Sequence, residues 1–403
     1  RNYRPITLLN TDYKIFTRIL ASRMRDVVHQ FVAECQKGFV PDVFIAEATA
    51  LLKLVEAYIN EDDEEDRKGV LLFLDMEKAF DRVSYEFTMK GLEALGFGNK
   101  FRSWVGQMYD VDNAPKRRFH INGWYTEWFQ IKSGVAQGCP LSPLLFLIVA
   151  EALKISLDME KKFKGIKIGD KHYKLIQFAD DTAPLIGDWR RESKYVDRGL
   201  RRWCKATGMR ENTAKREAVA LGAYRGRRMP AGPKWVQEGQ WCKHLGVPIG
   251  NDLAQGKWWG EKINVTRQKT HGWVGLQRMG YYGRSLPMQG MYYGRLRYWL
   301  YSLYMSKRTA LVAQHDADVL AWAKDPKLQE NLTQDGEAAK SNTKVRRWIA
   351  QGTAPGPKNR GGVSTMIWCD HVEAILAQWI IRYLQPGEAD YKTLLDHFLL
   401  RDK

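Results

Sequence analysis

Three carboxylates are placed where charge is expensive. LIQFADDTAPLIG (175–187) carries Asp180 and Asp181 side by side in an apolar stretch, and VLLFLD (70–75) is an apolar run that ends on Asp75. A desolvated carboxylate is costly unless something positive sits beside it, and the flanking residues supply no such partner. VLLFLD reads as a buried strand with Asp75 at its end; the other stretch reads as strand, tight turn, strand, with both aspartates at the turn. If these elements lie side by side in one sheet, the three acids converge. Converging carboxylates repel unless they share hard cations such as Mg²⁺, which prefers oxygen ligands and leaves room for substrate phosphates. Two such ions roughly 3.5–4 Å apart can clamp the attacking and leaving oxygens of an in-line phosphoryl displacement. Nucleotide addition to a 3′-hydroxyl is that reaction. The bland reading of Asp180-Asp181 is a polar turn, because aspartate is common in turns of all kinds.

The elements that would position these acids follow from periodicity. Residues 11–32 put Ile15, Phe16, Ile19, Leu20, Met24, Val27, Val28 and Phe31 on one helical stripe, with Thr11 or Asp12 as cap. A second helical stretch covers 44–60 and runs into the acidic EDDEEDRKG, read as a solvated loop. Helical sequence resumes near 84, and FHINGWYTEWFQI (119–131) has Asn122-Gly123 between β-prone segments, a hairpin signal. LSPLLFLIVAEALKISLDMEKKF (141–163) reads as a long helix with Ser142 capping and Pro143 at its start. Charged helical sequence fills 190–217, and WCKHLGVPIG (241–250) reads as a short hairpin. Beyond about 255 the composition shifts toward Trp, Tyr, Arg and Gly, which places a domain boundary near 250; QGTAPGPKNRGG (351–362) is a linker candidate.

Composition narrows the partners. The chain has 403 residues, 44% of them hydrophobic, and 63 Lys and Arg against 46 Asp and Glu, for a formal net charge of +17. That surplus on a globular chain points first to a polyanionic partner, although ribosome-bound and membrane-surface proteins share it. Five scattered cysteines (35, 139, 204, 242 and 369) contain no Cys-x-x-Cys pair, which argues against a disulfide framework or zinc ribbon and for a reducing compartment. The longest apolar run, LLFLIVAEAL (144–153), is short of a membrane span, so no membrane is expected. The chain opens at RNYRPITLLN without methionine and reads as a fragment of something larger.

LLFLDMEKAFDRV, SGVAQGCPLSPLLF and LIQFADDT, in this order and spacing, resemble the palm motifs of reverse transcriptases, with details similar to non-LTR (LINE-type) retrotransposons. RNYRPITLLNTDYKIFTRILASRM and QKGFV resemble the finger segment before the palm. GMRENTAKREA resembles the lysine-bearing motif after the Asp-Asp hairpin, and KHLGVPIG the primer-grip hairpin. YYGRSLPMQGMYYGRLRYWLYSLY and RGGVSTMIWCDHVEAILAQWIIRYL look like thumb and post-thumb segments. The resemblance implies an α+β right-hand polymerase fold: fingers over 1–70, a palm of antiparallel sheet plus helices over 71–250, a mainly helical thumb over 251–350 and a post-thumb segment over 351–403.

It also implies the roles. Asp75 and Asp180 would be the main ligands of two Mg²⁺ ions (Mn²⁺ as substitute), with the Met76 carbonyl nearby and Asp181 in support. Phe80 would lie under the incoming sugar and exclude a 2′-hydroxyl, where a core phenylalanine is the bland reading. Gln137 and Gly138 would meet the template–nucleotide pair, and Arg4 and Lys14 would hold triphosphate oxygens. Lys215 would protonate departing pyrophosphate. Arg284, Arg295 and Arg297 would meet phosphates of a template–primer duplex, while most rings of segment 281–304 pack as core. The implied partners are an RNA template, a DNA primer or target and deoxynucleoside triphosphates; endonuclease or zinc-knuckle parts would lie elsewhere on a longer polyprotein, acting in nucleus and cytoplasm. Asp42, Val43 and Pro184 depart from the family pattern. Two rivals stand beside this reading: a group II intron-like reverse transcriptase that doubles as a maturase, and a catalytically silent nucleic-acid-binding remnant.

Overall fold

The computed structural model describes residues 7–61, 67–109, 116–274, 281–322, 366–387 and 389–399, and these form a mixed α/β structure. They fall into two compact units that divide between Glu238 and Gly239, with the segment from Ala389 onward belonging to the first.

The first unit begins with α1 (Thr11–Arg25), α2 (Ile45–Asn60), β1 (Lys68–Phe73), α3 (Ala79–Arg82), α4 (Tyr85–Ala94) and α5 (Asn99–Tyr109). A small hairpin of β2 (His120–Ile121) and β3 (Trp124–Tyr125) precedes the long α6 (Ser142–Asp158). Then come β4 (Ile166–Ile168), β5 (Lys171–Tyr173), β6 (Leu175–Phe178), β7 (Asp181–Ile186), α7 (Trp189–Thr207), β8 (Glu217–Gly222) and β9 (Lys234–Trp235). One five-stranded sheet runs β6-β7-β1-β8-β9, antiparallel except for the β8–β9 pair. β1 is central and buried from Gly69 to Phe73, as its unbroken apolar run requires. The β4–β5 hairpin, three residues to a strand and mixed in polarity, leaves no periodic signal in the sequence.

Two helices differ from their sequence reading. α1 stops at Arg25, because the consecutive β-branched Val27 and Val28 leave helical geometry and the chain continues as a 3-10 turn over Val28–Gln30. The charged stretch after Trp189 is helical only to Thr207: Gly208 adopts φ 79° and ends it, and the remainder feeds β8. Within α7, Val196, Leu200 and Trp203 face inward, with the Trp203 indole donating to the Val149 carbonyl of α6 at 2.7 Å. Its arginines and lysines are therefore the outer face of an amphipathic helix. α6 starts at Ser142 as expected, but Leu141 holds the N-cap position and no side chain caps it, so Ser142 is the first helical residue rather than the cap.

Pro184 now has a location. β7 lies between β6 and β1, so this proline sits in an internal strand. The Leu185 amide donates to Lys174 on the β6 side at 2.8 Å, while the Thr182 carbonyl accepts from Leu74 on the β1 side at 3.0 Å. Alternation therefore turns the Pro184 nitrogen toward Leu72 of β1. The β1–β7 ladder pairs Val70 with Ile186 and Leu71 with Leu185, lapses there, and resumes at Leu74 with Thr182. One ladder bond is missing, worth about 1 kcal/mol net, partly offset by the chain entropy a proline removes from the unfolded state. Pro184→Val is expected to raise stability by roughly 0.5 kcal/mol in chemical denaturation. A loss of stability would show that the ring's packing matters more than the donor. Asp42, another of the three departures, has φ 60°, a left-handed position where aspartate is better tolerated than most side chains.

The second unit contains β10 (Cys242–His244), β11 (Val247–Ile249), α8 (Gln255–Val274), α9 (Tyr281–Pro287), a π-helical turn over Met288–Tyr293, α10 (Gly294–Leu300), α11 (Lys307–Trp322) and α12 (Trp368–Leu384). The β10–β11 turn is fastened to α10 by the Tyr298 hydroxyl on Leu245 and the Trp299 indole on Gly246. Tyr292 and Tyr293 are buried, as expected of core rings, and the Tyr292 hydroxyl donates to Asp316 at 2.7 Å. Burial pushes the Asp316 carboxyl up to about 6 against the opposing pull of Arg267, 3.5 Å away. The linker candidate at 351–362 lies outside the described residues. Helix α13 (Asp390–Leu399) belongs to the first unit, where the Asp390 carboxylate accepts from Lys171 at 2.8 Å. Among the described residues, no helix is long and apolar enough to cross a membrane.

Candidate functional site

The chain beyond β1 stays extended and is held from both sides. On one side the Leu74 amide donates to Thr182 of β7 at 3.0 Å. On the other, the Asn212 amide donates to the Asp75 carbonyl at 2.8 Å and the Glu77 amide to Arg210 at 2.8 Å. Asp75 and Met76 are thus wedged between the Asp-Asp hairpin and the segment carrying Lys215. The pairs Val70–Ile186, Leu71–Leu185 and Leu74–Thr182 share one register, and its continuation sets Asp75 opposite Asp181. Directly opposed residues present their side chains on one face with Cβ atoms about 4.5–5.5 Å apart. Since the Asp75 carbonyl faces Asn212, alternation turns the Met76 carbonyl the other way, toward the β7 side.

Between β6 and β7, Phe178 pairs with Asp181, leaving Ala179 and Asp180 as a two-residue turn. Ala179 has φ 57°, a left-handed conformation that costs a residue with a Cβ about 1–2 kcal/mol. What holds it there is Gln36, which is 2% exposed. Its side-chain carbonyl accepts from the Ala179 amide at 2.9 Å and from the Gly38 amide at 2.8 Å. The backbone joins in, with Lys37 donating to Gln177 at 2.7 Å and Gln177 donating to Cys35 at 2.8 Å. Gly38 lies so close that a Cβ built on it would stand 2.4 Å from the Ala179 nitrogen. Gln36 and Gly38 are not among the site residues expected from sequence; the one local signal in QKGFV is the glycine, which allows close backbone approach.

Lys215 reaches the acids directly. Its ammonium lies 3.0 Å from Asp75 Oδ2, which also accepts from Asn212 Nδ2 at 3.4 Å. Both members of this ion pair are about half exposed, so it contributes less than about 1 kcal/mol and does little for stability. The segment bearing Lys215 is pinned by Arg216, which grips both oxygens of Glu211 at 2.7 Å and Asp197 at 2.8 Å. Burial opposes the Arg216 charge, but these carboxylates outweigh it and keep the guanidinium firmly protonated.

Phe80, on α3, is half-buried with its ring stacked on Phe146 at 4.8 Å and edge-on to Phe39 at 6.0 Å. Gln137 accepts from the Thr7 amide at 3.1 Å, and Gly138 follows with φ 101° in the loop before α6. Lys14 is exposed on α1. Arg4 lies outside the described residues. Arg295 and Arg297 sit on α10 of the second unit, the latter 3.3 Å from the Tyr301 hydroxyl. Arg284 falls on α9, and its side chain lies outside the described set.

The donor set suits Mg²⁺ by chemistry: three carboxylates and a backbone carbonyl, all hard oxygens, gathered at one end of the sheet. Among the described residues, however, no three His, Cys, Asp or Glu side chains stand in a metal-ligating arrangement. The carboxylates are neighbours without being a closed cluster.

A largely antiparallel sheet that delivers oxygen donors and a lysine to one end is the kind of site on which nucleotidyl-transfer enzymes are built. The chain belongs to the reverse transcriptase (RNA-dependent DNA polymerase) family, whose sequence profile matches residues 1–249. Its relatives are proteins of transposable elements, and it is homologous to the reverse transcriptases of non-LTR retrotransposons. It is 25% identical over 399 residues, 95% of this chain and 27% of the relative, to the "Transposon TX1 uncharacterized 149 kDa protein" of Xenopus laevis. It is 32% identical over 185 residues, 46% of this chain and 25% of the relative, to a Pol polyprotein from the type-1 retrotransposable element R2 of Popillia japonica. The match to the probable RNA-directed DNA polymerase from transposon BS of Drosophila melanogaster is 26% over 231 residues, 53% of this chain and 23% of the relative. The chain therefore spans about a quarter of the length of these relatives.

Proposed function

We propose that this chain is the polymerase portion of a retrotransposon protein, extending a DNA 3′-hydroxyl on an RNA template by nucleotidyl transfer. The observation that carries the proposal is the shared register of β1 and β7, which sets Asp75 opposite Asp181 with Asp180 in the adjoining turn and Lys215 on Asp75. In this reading, residues 1–70 act as fingers, 71–250 as palm, 251–350 as thumb and 351–403 as a post-thumb segment of a right-hand polymerase. Asp75 and Asp180, with the Met76 carbonyl and Asp181 in support, would hold two Mg²⁺ ions. Metal held by these residues would supply acidification of the primer hydroxyl and neutralisation of triphosphate charge.

The chain's own groups do the rest. Lys215 gives a proton to departing pyrophosphate, a role that depends on placement, which Arg216 secures. Arg4 and Lys14 hold triphosphate oxygens, and Gln137 with Gly138 supports the template–nucleotide pair. Arg284, Arg295 and Arg297 meet backbone phosphates, contacts that bind without reading sequence. Phe80 lies under the sugar and blocks a 2′-hydroxyl, held rigid by its stack on Phe146. Phe80→Val is therefore expected to raise ribonucleotide incorporation relative to deoxynucleotide by at least about tenfold, on the order of one lost steric contact. Unchanged sugar selectivity, measured as the ratio of kcat/KM values, would reduce Phe80 to a packing residue.

A further inference from the structure

The β2–β3 hairpin has no role in the site described above, yet its surface is unlike the rest of the first unit. A hairpin that packs on a core hides alternate side chains; here every residue from Arg118 to Trp128 is exposed. Trp124 is 81% exposed, and Tyr125 and Trp128 are each 57% exposed. The backbone is nonetheless well specified. Asn122 and Gly123 have φ 49° and 88°, as a two-residue type I′ turn demands, and Arg117 and Phe129 exchange both backbone bonds at 2.8 Å.

On one face the Arg118 guanidinium lies over Tyr125 at 3.9 Å and Trp128 at 4.7 Å, and His120 stacks on Tyr125 at 4.6 Å. On the other, Ile121 pairs with Trp124, whose ring is left open, and Phe119 rests on Phe129. Along 116–132 the hairpin and its flanks carry Lys116, Arg117, Arg118 and Lys132 against one carboxylate, Glu127. Open π faces with a basic border match a polyanion that carries flat, unpaired rings. An apolar protein segment would have to desolvate that basic border without compensation.

We infer that this hairpin is a stacking platform for unpaired bases of the single-stranded RNA template. The assignment of the strand rests on the polymerase reading, and one further observation favours it. The hairpin's exit strand is bonded to the segment after Asp75: Ser133 Oγ donates to Asp81 at 3.1 Å, Gly134 to Val83 at 2.8 Å and Val135 to Phe80 at 2.7 Å. The platform is thus rooted on the stretch that carries Phe80 and leads directly into Gln137 and Gly138. In a duplex the bases already stack on each other, so only a single strand can use the exposed rings.

The test uses the full chain, as wild type, as the double variant Trp124→Ala/Trp128→Ala and as Arg118→Gln. Fluorescence anisotropy at one fixed salt concentration reads binding to a labelled unstructured RNA of about 12 nucleotides and to a blunt RNA–DNA duplex. The double variant is expected to bind the single-stranded RNA about tenfold more weakly, and Arg118→Gln about threefold more weakly, with duplex affinity unchanged. The substituted side chains are exposed, so unfolding midpoints should match wild type, and Arg118→Gln keeps the test open if the double variant does not fold. Equal single-strand affinity in wild type and variants overturns the inference. So does a wild-type dimer that turns monomeric in the variants while RNA affinity holds, since the face would then belong to a second copy. A larger loss on single-stranded DNA of the same sequence overturns the template assignment. If wild type fails to extend primers while the RNA loss appears as expected, the polymerase reading falls and the RNA platform stands.

Discussion

Asp180→Ala is expected to abolish primer extension, by at least about 10³-fold, while primer–template affinity stays within a few-fold of wild type. The two readouts separate because they depend on different parts of the molecule. In the proposed mechanism extension needs the carboxylate on the turn between β6 and β7, next to where the Leu74–Thr182 register continues toward Asp75 and Asp181. Removing one oriented group that stabilises developing charge typically costs about 10²–10³ in kcat, and a metal-binding carboxylate should cost more. Binding would draw instead on a surplus of cations, +17 over the chain, and deleting one half-buried turn carboxylate does not weaken that attraction. Gel-resolved extension with anisotropy on the same preparation measures both. Extension retained within tenfold would remove Asp180 from the chemistry.

Gly38→Ala is the second large effect, and it comes from a residue with no chemistry of its own. Its new Cβ would stand 2.4 Å from the Ala179 nitrogen and 2.9 Å from the Phe178 carbonyl carbon, both backbone atoms that cannot swing aside. Either the 36–38 segment retreats, breaking the Gln36 bonds to Ala179 and Gly38, or the turn bearing Asp180 shifts. A misplacement of about 1 Å at a catalytic group can cost about 100-fold, so a loss of that order in kcat is expected, with KM for the nucleotide changed less. The clash also predicts a stability loss of about 1–3 kcal/mol. Steady-state kinetics alongside denaturation distinguishes the account from simple unfolding. A stable, fully active Gly38→Ala protein would show that the clamp does not set the position of the turn.

These residues show what the sequence can and cannot convey. Asp75 at a strand end, the Asp-Asp turn, the Asn122-Gly123 hairpin and α6 were all legible, because each rests on local periodicity or turn chemistry. The register of β1 against β7 was not: it is set by which faces are buried after distant segments meet, and it alone decides that Asp75 opposes Asp181. Gln36 was invisible for the same reason. A buried glutamine is recognisable only once its two amide partners, one of them far along the chain at Ala179, are in view. The Pro184 anomaly was visible in the sequence but not interpretable, since only the strand order shows that its missing donor faces β1. Conversely, the β-branched pair that ends α1 and the glycine that ends α7 were local signals, overridden in the reading by longer amphipathic patterns.

The end of the sheet bearing Asp75, Asp180 and Asp181 is proposed to catalyse RNA-templated DNA synthesis. The most direct test gives the wild-type chain an RNA template annealed to a labelled DNA primer, deoxynucleoside triphosphates and Mg²⁺, with a parallel reaction in excess chelator. The account predicts template-length DNA product that depends on the RNA sequence, is lost with chelator and is absent for Asp180→Ala. A folded wild-type chain that binds the primer–template yet adds no nucleotide with Mg²⁺ or Mn²⁺ would contradict it.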